Sequence, residues 1–81
     1  MTDFEQVVTA IFRELTIEVP GSDVDVIETG LLDSLGLVTL VYELEQRCGI
    51  RIRFETLDVD DFRTVRSIAR LAEAQQREDA G

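Results

Sequence analysis

The 81 residues of the chain suffice for one small domain with a modest hydrophobic core. Hydrophobic residues make up 44% of it, too many for a disordered acidic tail, and the formal net charge of -9 disfavours binding to nucleic acid or anionic membrane surfaces. With no His, no Lys and a single Cys, the chain excludes an internal Ser-His-Asp triad, a Schiff-base lysine, a His/Cys zinc site and an internal disulfide.

The hydropathy of the chain indicates where the protein is located. No apolar run approaches the roughly 18 residues of a membrane span, and the polar, acidic residues after Met1 are unlike a signal peptide. We therefore expect a cytoplasmic protein without membrane insertion.

The first predicted element is an amphipathic helix that starts at about Phe4. Thr2 and Glu5 have the spacing of a capping box, while Pro20 and Gly21 predict that the helix ends by about residue 18. The following stretch, "SDVDVIETG", predicts a long ordered loop whose apolar side chains contact the bundle. The helix's apolar face, with a 3.6-residue period, consists of Phe4, Val7, Val8, Ile11, Phe12 and Leu15.

A second helix is predicted from Ser34 to Cys48. Gly49 followed by Ile50 is typical of a left-handed helix stop with a hydrophobic residue beyond it. The next residues, "IRIRF", alternate like a strand, but the chain offers no second strand to pair with them. We therefore predict an extended connector with Ile50, Ile52 and Phe54 turned inward.

The last third of the chain predicts one short helical turn over Thr56 to Asp61 and a final helix capped by Thr64. The tail "QQREDAG" is polar and is expected to fray. The prediction is a single all-α domain over 1–81, with an ordered core of about 3–75: a monomeric small four-helix bundle of three main helices and one short helix. The apolar face of the final helix consists of Val65, Ile68, Ala69, Leu71 and Ala72.

Ser34, in "GLLDSLGLVTLV", admits three interpretations. Asp and Ser are preferred at helix N-termini, so Ser34 could serve as a helix cap. A nucleophilic serine is disfavoured, because Leu32 stands where a G-x-S-x-G elbow needs glycine and the chain has no general base. Ser34 could also accept a covalent modification from another enzyme, since a helix N-terminus favours an attached phosphate.

The second helix carries more apolar residues than one core-facing stripe can bury. Some must be exposed, which indicates a docking surface beside Ser34. One hypothesis is therefore an unmodified acidic helical adaptor, in which Ser34 is only a helix cap and Leu35, Val38 and Tyr42 bind a protein.

The stretch "GLLDSLGLVTLVYELEQRCGI" resembles the signature of the acyl and peptidyl carrier proteins, in which a D-S-L triplet opens the second helix. The resemblance extends over roughly residues 4 to 76. It implies that Ser34 bears 4'-phosphopantetheine, attached by a phosphopantetheinyl transferase that uses coenzyme A. The chain itself would be a non-enzymatic carrier holding an acyl or aminoacyl group as a thioester on that arm.

The resemblance also implies a partner interface around the serine. Asp33 and Leu35 would contact the transferase and later enzymes. The partners would be that transferase, an adenylation enzyme, ligase or acyltransferase that loads the arm, and a downstream synthase or transferase. Beyond those two residues, the implied interface comprises Gly36, Val38, Thr39, Tyr42, Glu43, Asp58, Asp60 and Asp61.

The sequence departs from the fatty-acid carriers at two positions. Those carriers usually have carboxylates two and five residues after the serine, where this chain has Gly36 and Thr39. With Asp61 and Phe62 before the last helix, the chain looks closer to stand-alone carriers of the D-alanyl, aminoacyl and specialised-metabolite type.

Three other features have simpler explanations. Asp23 to Glu28 alternate carboxylates but lack the glycine and terminal glutamate of a calcium loop, so no metal site is predicted. Cys48 falls at an inward helical position and is predicted to be a core residue. Arg51 and Arg53 are expected to be solvated or paired with carboxylates.

Overall fold

The computed structural model describes residues 3–80, without the side chains at positions 54, 79 and 80. The regular secondary structure in this range is all helical, with no strand, which confirms the predicted all-α bundle. None of its helices is both long enough and apolar enough to cross a bilayer. The elements are α1 (Phe4–Glu14), α2 (Ser34–Cys48), two 3-10 turns (Phe54–Thr56 and Val59–Phe62) and α3 (Val65–Ala80).

Helix α1 begins as predicted at Phe4, but its cap is Asp3. The Asp3 carboxylate accepts the backbone N–H groups of Glu5 at 3.1 Å and Gln6 at 3.3 Å. The predicted capping residue, Thr2, lies outside the described residues. A carboxylate at the N-terminus also interacts favourably with the helix dipole.

Helix α1 ends at Glu14, before the predicted limit of about residue 18. Thr16 adopts a left-handed conformation with φ of 59°, and its N–H donates to the carbonyl of Arg13 at 3.0 Å. The N–H of Ile17 donates to the carbonyl of Phe12 at 2.9 Å. These two bonds form a Schellman motif, which stops the helix well before Pro20.

The core lies between the three helices, with α1 packed against both α2 and α3. Every helix contributes an apolar stripe, and the long loop between α1 and α2 adds Val26 and Leu32. Burying these side chains supplies the main favourable term in folding. The largest fully buried side chains are Phe12, Phe62, Ile11, Leu40, Leu44, Ile68, Val8, Val26 and Val41.

The loop between α1 and α2 is ordered, as predicted, because it is bonded to the start of α3. The N–H of Val26 donates to the carbonyl of Arg63 at 2.7 Å, and the N–H of Arg66 donates to the carbonyl of Ser22 at 3.1 Å. The Arg63 guanidinium adds an ion pair with Asp25 at 3.2 Å. The loop that precedes Ser34 is therefore fixed to the start of α3.

The end of α2 and the connector agree with the sequence. Gly49 caps α2 in the left-handed conformation, with φ of 65°, and Ile50 is buried. The N–H of Ile52 donates to the Glu45 carboxylate at 2.9 Å, so a side chain on α2 takes the place of a neighbouring strand. Ile52 is partly buried against the core, while the predicted inward position of the Phe54 side chain lies outside the description.

The short turn predicted over Thr56 to Asp61 is present as the 3-10 turn Val59–Phe62, and a separate 3-10 turn, Phe54–Thr56, precedes it. Asp58 separates them and caps the second, its carboxylate accepting the N–H of Asp60 at 2.9 Å. A residue that caps a new turn cannot lie inside the previous one, and Asp is a common residue at such starts.

Helix α3 begins after Thr64, as predicted. Thr64 and Ser67 cap each other reciprocally, with N–H to hydroxyl distances of 3.0 and 3.1 Å. The helix extends to Ala80, beyond the expected limit of the ordered core near residue 75. Gln76 connects this last part to the end of α2, because its amide donates to the carbonyl of Cys48 at 3.0 Å.

Candidate functional site at the start of α2

Ser34 is the first residue of α2, and its side chain is exposed. Its hydroxyl makes no hydrogen bond to any other residue within 3–80. An alcohol that is exposed and engaged by no neighbour is available to a reagent from outside the chain. The chemical requirement for modification by another enzyme is therefore met at this position.

The helix cap is Asp33, not Ser34. Asp33 has an extended backbone, and its Oδ1 accepts the N–H of Gly36 at 2.7 Å. The Asp33 carbonyl accepts the N–H of Leu37 at 2.8 Å and so begins the helical ladder. The interpretation of Ser34 as a cap is wrong, because the preceding residue already fills that role.

Leu32 anchors the chain directly before the site. Its side chain is buried in the core, and its N–H donates to the carbonyl of Val26 at 2.8 Å. Gly30 turns the chain just before it with φ of 78°, a conformation that few residues other than glycine adopt. The loop therefore delivers Asp33 and Ser34 to the surface in one fixed place.

A row of apolar side chains runs along the exposed face of α2. Leu35 is 74% exposed, Val38 51% and Tyr42 56%, which confirms the predicted surplus of apolar residues outside the core. We call Leu35, Val38 and Tyr42 the apolar row. The opposite face of the same helix is buried through Leu40, Val41, Leu44 and Cys48.

Val59, in the second 3-10 turn, is also exposed, at 45%. The apolar periodicity does not predict this exposure, because Val59 follows the cap Asp58 in a turn of only four residues. Its position between Asp58 and Asp60 was the available signal, since an apolar residue flanked by carboxylates in a short turn is seldom buried.

Two predicted interface residues on α2 have partners within the chain. The Thr39 hydroxyl donates to the carbonyl of Leu35 at 3.1 Å. Glu43 is partly buried and pairs with Arg47 at 3.2 Å, and Arg47 also bonds Glu14 on α1. The two Arg47 ion pairs connect α1 to α2, and they neutralise the carboxylate of Glu43 next to Tyr42.

The predicted acidic residues of the second 3-10 turn differ in their roles. Asp58 is the cap, and Asp60 pairs with Arg63 at 2.6 Å. Asp61 is exposed, and its side chain bonds to no residue of the described range, while its carbonyl accepts the Ser67 hydroxyl at 2.9 Å. Of these three carboxylates, Asp61 is the one left to face a partner.

The start of α2 fits an attached phosphate ester. Within the described range, the N–H groups of Ser34 and Leu35 have no acceptor, so they expose the positive end of the helix dipole. The first turn contains no acidic residue that would repel a phosphate. The nearest carboxylate, on Asp33, is already bonded to Gly36.

The net charge is concentrated in the part of the chain that contains Ser34. Residues 1–46 contain ten acidic residues and one basic residue, whereas residues 47–81 contain seven of each. The long-range field of the domain is therefore negative on account of α1, the following loop and α2. Such a field favours approach by a positively charged partner.

Cys48 is not a working thiol. Its side chain is buried in the core, as predicted, and burial raises the pKa of the thiol, an effect that the nearby positive charge of Arg47 only partly opposes. A neutral, buried thiol is a poor nucleophile. Any thioester chemistry of this domain therefore needs a thiol from an attached group.

Two of the alternating carboxylates in the loop, Asp23 and Asp25, have partners within the chain. Asp25 accepts the N–H groups of Glu28 at 2.8 Å and Ile27 at 3.0 Å and pairs with Arg63, while Asp23 pairs with Arg66 at 2.9 Å. Within the described range, no group of three or more His, Cys, Asp or Glu side chains could hold a metal ion.

These features are those of a carrier domain: a small helical bundle that presents an exposed serine at a helix N-terminus. Comparison with known families agrees, since residues 5–72 match the family described as "Phosphopantetheine attachment site". The chain belongs to this family. It is a carrier protein whose prosthetic group is covalently attached 4'-phosphopantetheine.

Two curated proteins that are similar to this chain are D-alanyl carrier proteins. The D-alanyl carrier protein of Streptococcus pyogenes serotype M5 (strain Manfredo) is 35% identical over 74 residues, covering 89% of this chain and 94% of the relative. The D-alanyl carrier protein of Streptococcus sanguinis (strain SK36) is 37% identical over 68 residues, covering 82% and 86%. The similarity therefore extends over nearly the whole domain in both proteins.

Proposed function

We propose that Ser34 bears the 4'-phosphopantetheine arm and that the domain presents an aminoacyl group, held on this arm as a thioester, to partner enzymes. The observation that carries the proposal is the exposed Ser34 hydroxyl, which is free of partners in the described range and lies beside the apolar row. The domain itself is non-catalytic: it presents cargo that other enzymes load and remove.

The attachment is a phosphoryl-group transfer carried out by a phosphopantetheinyl transferase. The Ser34 oxygen forms a bond to the phosphorus that carries pantetheine in coenzyme A, the pyrophosphate P–O bond breaks, and the adenosine bisphosphate leaves. The hydroxyl proton passes to a base of the transferase, because no group of the described residues bonds the Ser34 hydroxyl. Once bound, the arm supplies the thiol that holds the cargo.

The residues of the chain position this reaction in two ways. Asp33 caps α2 and so fixes the turn that contains Ser34, and the exposed helix N-terminus favours the resulting phosphodiester. The apolar row gives a partner a surface to bury. Because the proposed partners use coenzyme A and ATP, we expect the domain to act in the cytoplasm.

The relatives favour an amino acid as cargo. Both are named as D-alanyl carriers, and the two positions where this chain departs from fatty-acid carriers, Gly36 and Thr39, leave the first turns of α2 without carboxylates. We propose D-alanine as the first cargo to test, loaded by an ATP-dependent adenylating ligase.

Attachment is tested by intact mass. The wild-type chain, incubated with coenzyme A and a broad-specificity phosphopantetheinyl transferase, should gain one phosphopantetheinyl group, and Ser34→Ala should gain none. Ser22→Ala is a matched control, a serine on the loop before α2, and should be modified like wild type. A gain that persists in Ser34→Ala would refute the assignment.

Cargo is tested on the modified protein. Incubation with ATP, a D-alanine-activating ligase and labelled D-alanine should yield a label that hydroxylamine releases, as expected for a thioester, and L-alanine should label it poorly. Labelling of the unmodified chain, or no labelling of the modified chain by a ligase active on a known carrier, would contradict an aminoacyl role of the D-alanyl type.

Docking is tested by adding charge to the apolar row. Leu35→Glu should slow modification at least several-fold while leaving helical content unchanged, because Leu35 is 74% exposed. Thr9→Glu, which adds the same charge at an exposed position on α1, is the control and should have little effect. Equal effects of the two substitutions would show that net charge, rather than this row, governs the encounter.

A further inference from the structure

We propose that Gly36 is a positioning residue for the modification of Ser34. The lack of a side chain at this position keeps the Asp33 carboxylate in the cap that fixes the first turn of α2. This inference rests on the proposed attachment at Ser34 and adds a residue that touches neither the arm nor the reacting oxygen.

A methyl group at position 36 would be tightly packed against its neighbours. A Cβ at this position would lie 3.0 Å from Cδ1 of Leu32 and 3.1 Å from Oδ1 of Asp33. Carbon atoms rarely approach other heavy atoms so closely, so a neighbour would have to move. The backbone of Gly36 is helical, and thus the requirement for glycine comes from these contacts and not from its conformation.

The two neighbours differ in how easily they can move. Leu32 is 5% exposed, lies in the core and is held by the bond from its N–H to Val26. The Asp33 side chain is exposed and can rotate into solvent. We therefore expect a methyl group at position 36 to displace the carboxylate and break its 2.7 Å bond to the N–H of residue 36.

The Asp33 cap matters for Ser34 because nothing else in the described range holds the serine side chain. Ser34 lies in the turn that runs from Asp33 to Gly36, so the direction of its Cα–Cβ bond depends on the backbone of that turn. Without the cap, the first turn of a helix tends to fray. The hydroxyl would remain exposed but would occupy a wider range of positions before the transferase.

Helix propensity predicts the opposite effect for the same change. Alanine in place of glycine within an exposed helix usually stabilises by up to about 1 kcal/mol. A loss of function in Gly36→Ala therefore could not be ascribed to weaker helix formation by the new residue.

The experiment compares modification kinetics of folded variants. Gly36→Ala should lower the kcat of phosphopantetheinyl transfer about fivefold, the equivalent of about 1 kcal/mol, which is typical of losing an N-cap bond. KM should change little, because the apolar row is untouched. Gly21→Ala is the matched control: a Cβ there would meet Val24 at 3.9 Å, an ordinary contact, so its rate should equal that of wild type.

A second set of variants shows whether Gly36 acts through Asp33. Gly36→Ala should cause no further loss when added to Asp33→Ala, since the cap is already absent. Asp33→Asn should keep the cap, because an amide oxygen can still accept the N–H of residue 36. Amide hydrogen exchange at residue 36 should accelerate in Gly36→Ala and in Asp33→Ala but not in Asp33→Asn.

The outcomes separate this proposal from the assignment of Ser34. An unmodified wild-type chain would overturn both. A wild-type rate in Gly36→Ala would overturn the positioning role alone. An equal loss with and without the Asp33 carboxylate would also overturn it and would indicate that residue 36 contacts the transferase directly. Failure of Gly36→Ala to fold would show that Leu32 moves instead of Asp33, and would also contradict the proposal.

Discussion

Thr16 illustrates how a single residue sets the end of an element. It is the one described residue other than glycine with a positive φ, at 59°, and it completes the Schellman motif after α1. A β-branched residue in this conformation costs about 1–2 kcal/mol. The Thr16 hydroxyl bond to the carbonyl of Leu15, at 2.6 Å, offsets part of that cost.

Thr16→Gly should therefore raise the free energy of unfolding by up to about 1 kcal/mol, because relief of the strained backbone exceeds the entropy that glycine adds to the unfolded chain. Thr9→Gly is the control, since Thr9 lies inside α1 with a comparable hydroxyl bond to Glu5, and it should destabilise by about 0.3 kcal/mol or more. Urea unfolding measures both changes. Destabilisation by Thr16→Gly would contradict the strain at this position.

The loop between α1 and α2 acts as an element because Arg63 joins it to the second 3-10 turn. The guanidinium contacts Asp25 and Asp60, while the Arg63 carbonyl accepts the N–H of Val26. The N–H group of Glu28, then that of Ile27 and the Arg63 charge, hold the pKa of the Asp25 carboxyl below its ordinary value of 3.8, although partial burial opposes this.

The lowered pKa predicts a dependence of stability on pH. A carboxyl whose pKa is lower in the folded state contributes stability that is fully present above pH 3.8 and is lost as pH falls through that value towards the folded pKa. Asp25→Asn should therefore be less stable than wild type at neutral pH, with the difference shrinking below about pH 4. Urea midpoints across this range test it; a constant difference would contradict the lowered pKa.

Helix α2 has one buried face and one exposed apolar face. Leu44 is fully buried whereas Leu35 is 74% exposed, yet both are leucines on one helix. Leu44→Ala should cost about 2–5 kcal/mol of unfolding free energy. Leu35→Ala should stay within about 0.5 kcal/mol of wild type and instead slow modification of Ser34. A large stability loss in Leu35→Ala would mean that the apolar row belongs to the core.

For the whole molecule, the helical fold could be predicted from the sequence more fully than the local turns. The bounds of α2 and the Gly49 stop follow from a regular apolar period and from glycine chemistry, and both are confirmed. The exact end of α1 has no glycine signal, because a threonine adopts the left-handed conformation there. The Arg63 contacts join residues 38 positions apart, and no local pattern encodes such a distance.

The candidate site was foreseeable in its position but not in its division of roles. An Asp-Ser pair before a helix suggests capping by either residue, and the geometry assigns the cap to Asp33, leaving Ser34 available. The crowding around Gly36 depends on the buried Leu32 side chain, which sequence spacing does not place. Both distinctions arise from tertiary packing around a short local motif.

Peptide mapping tests whether Ser34 carries the arm. The chain has no lysine, so trypsin cuts only after arginine and places Ser34 in the peptide 14–47 together with Ser22. After modification with coenzyme A and a phosphopantetheinyl transferase, fragmentation of this peptide should locate the group on residue 34. A group on Ser22, on Ser67 or on no serine of the folded protein would contradict the account.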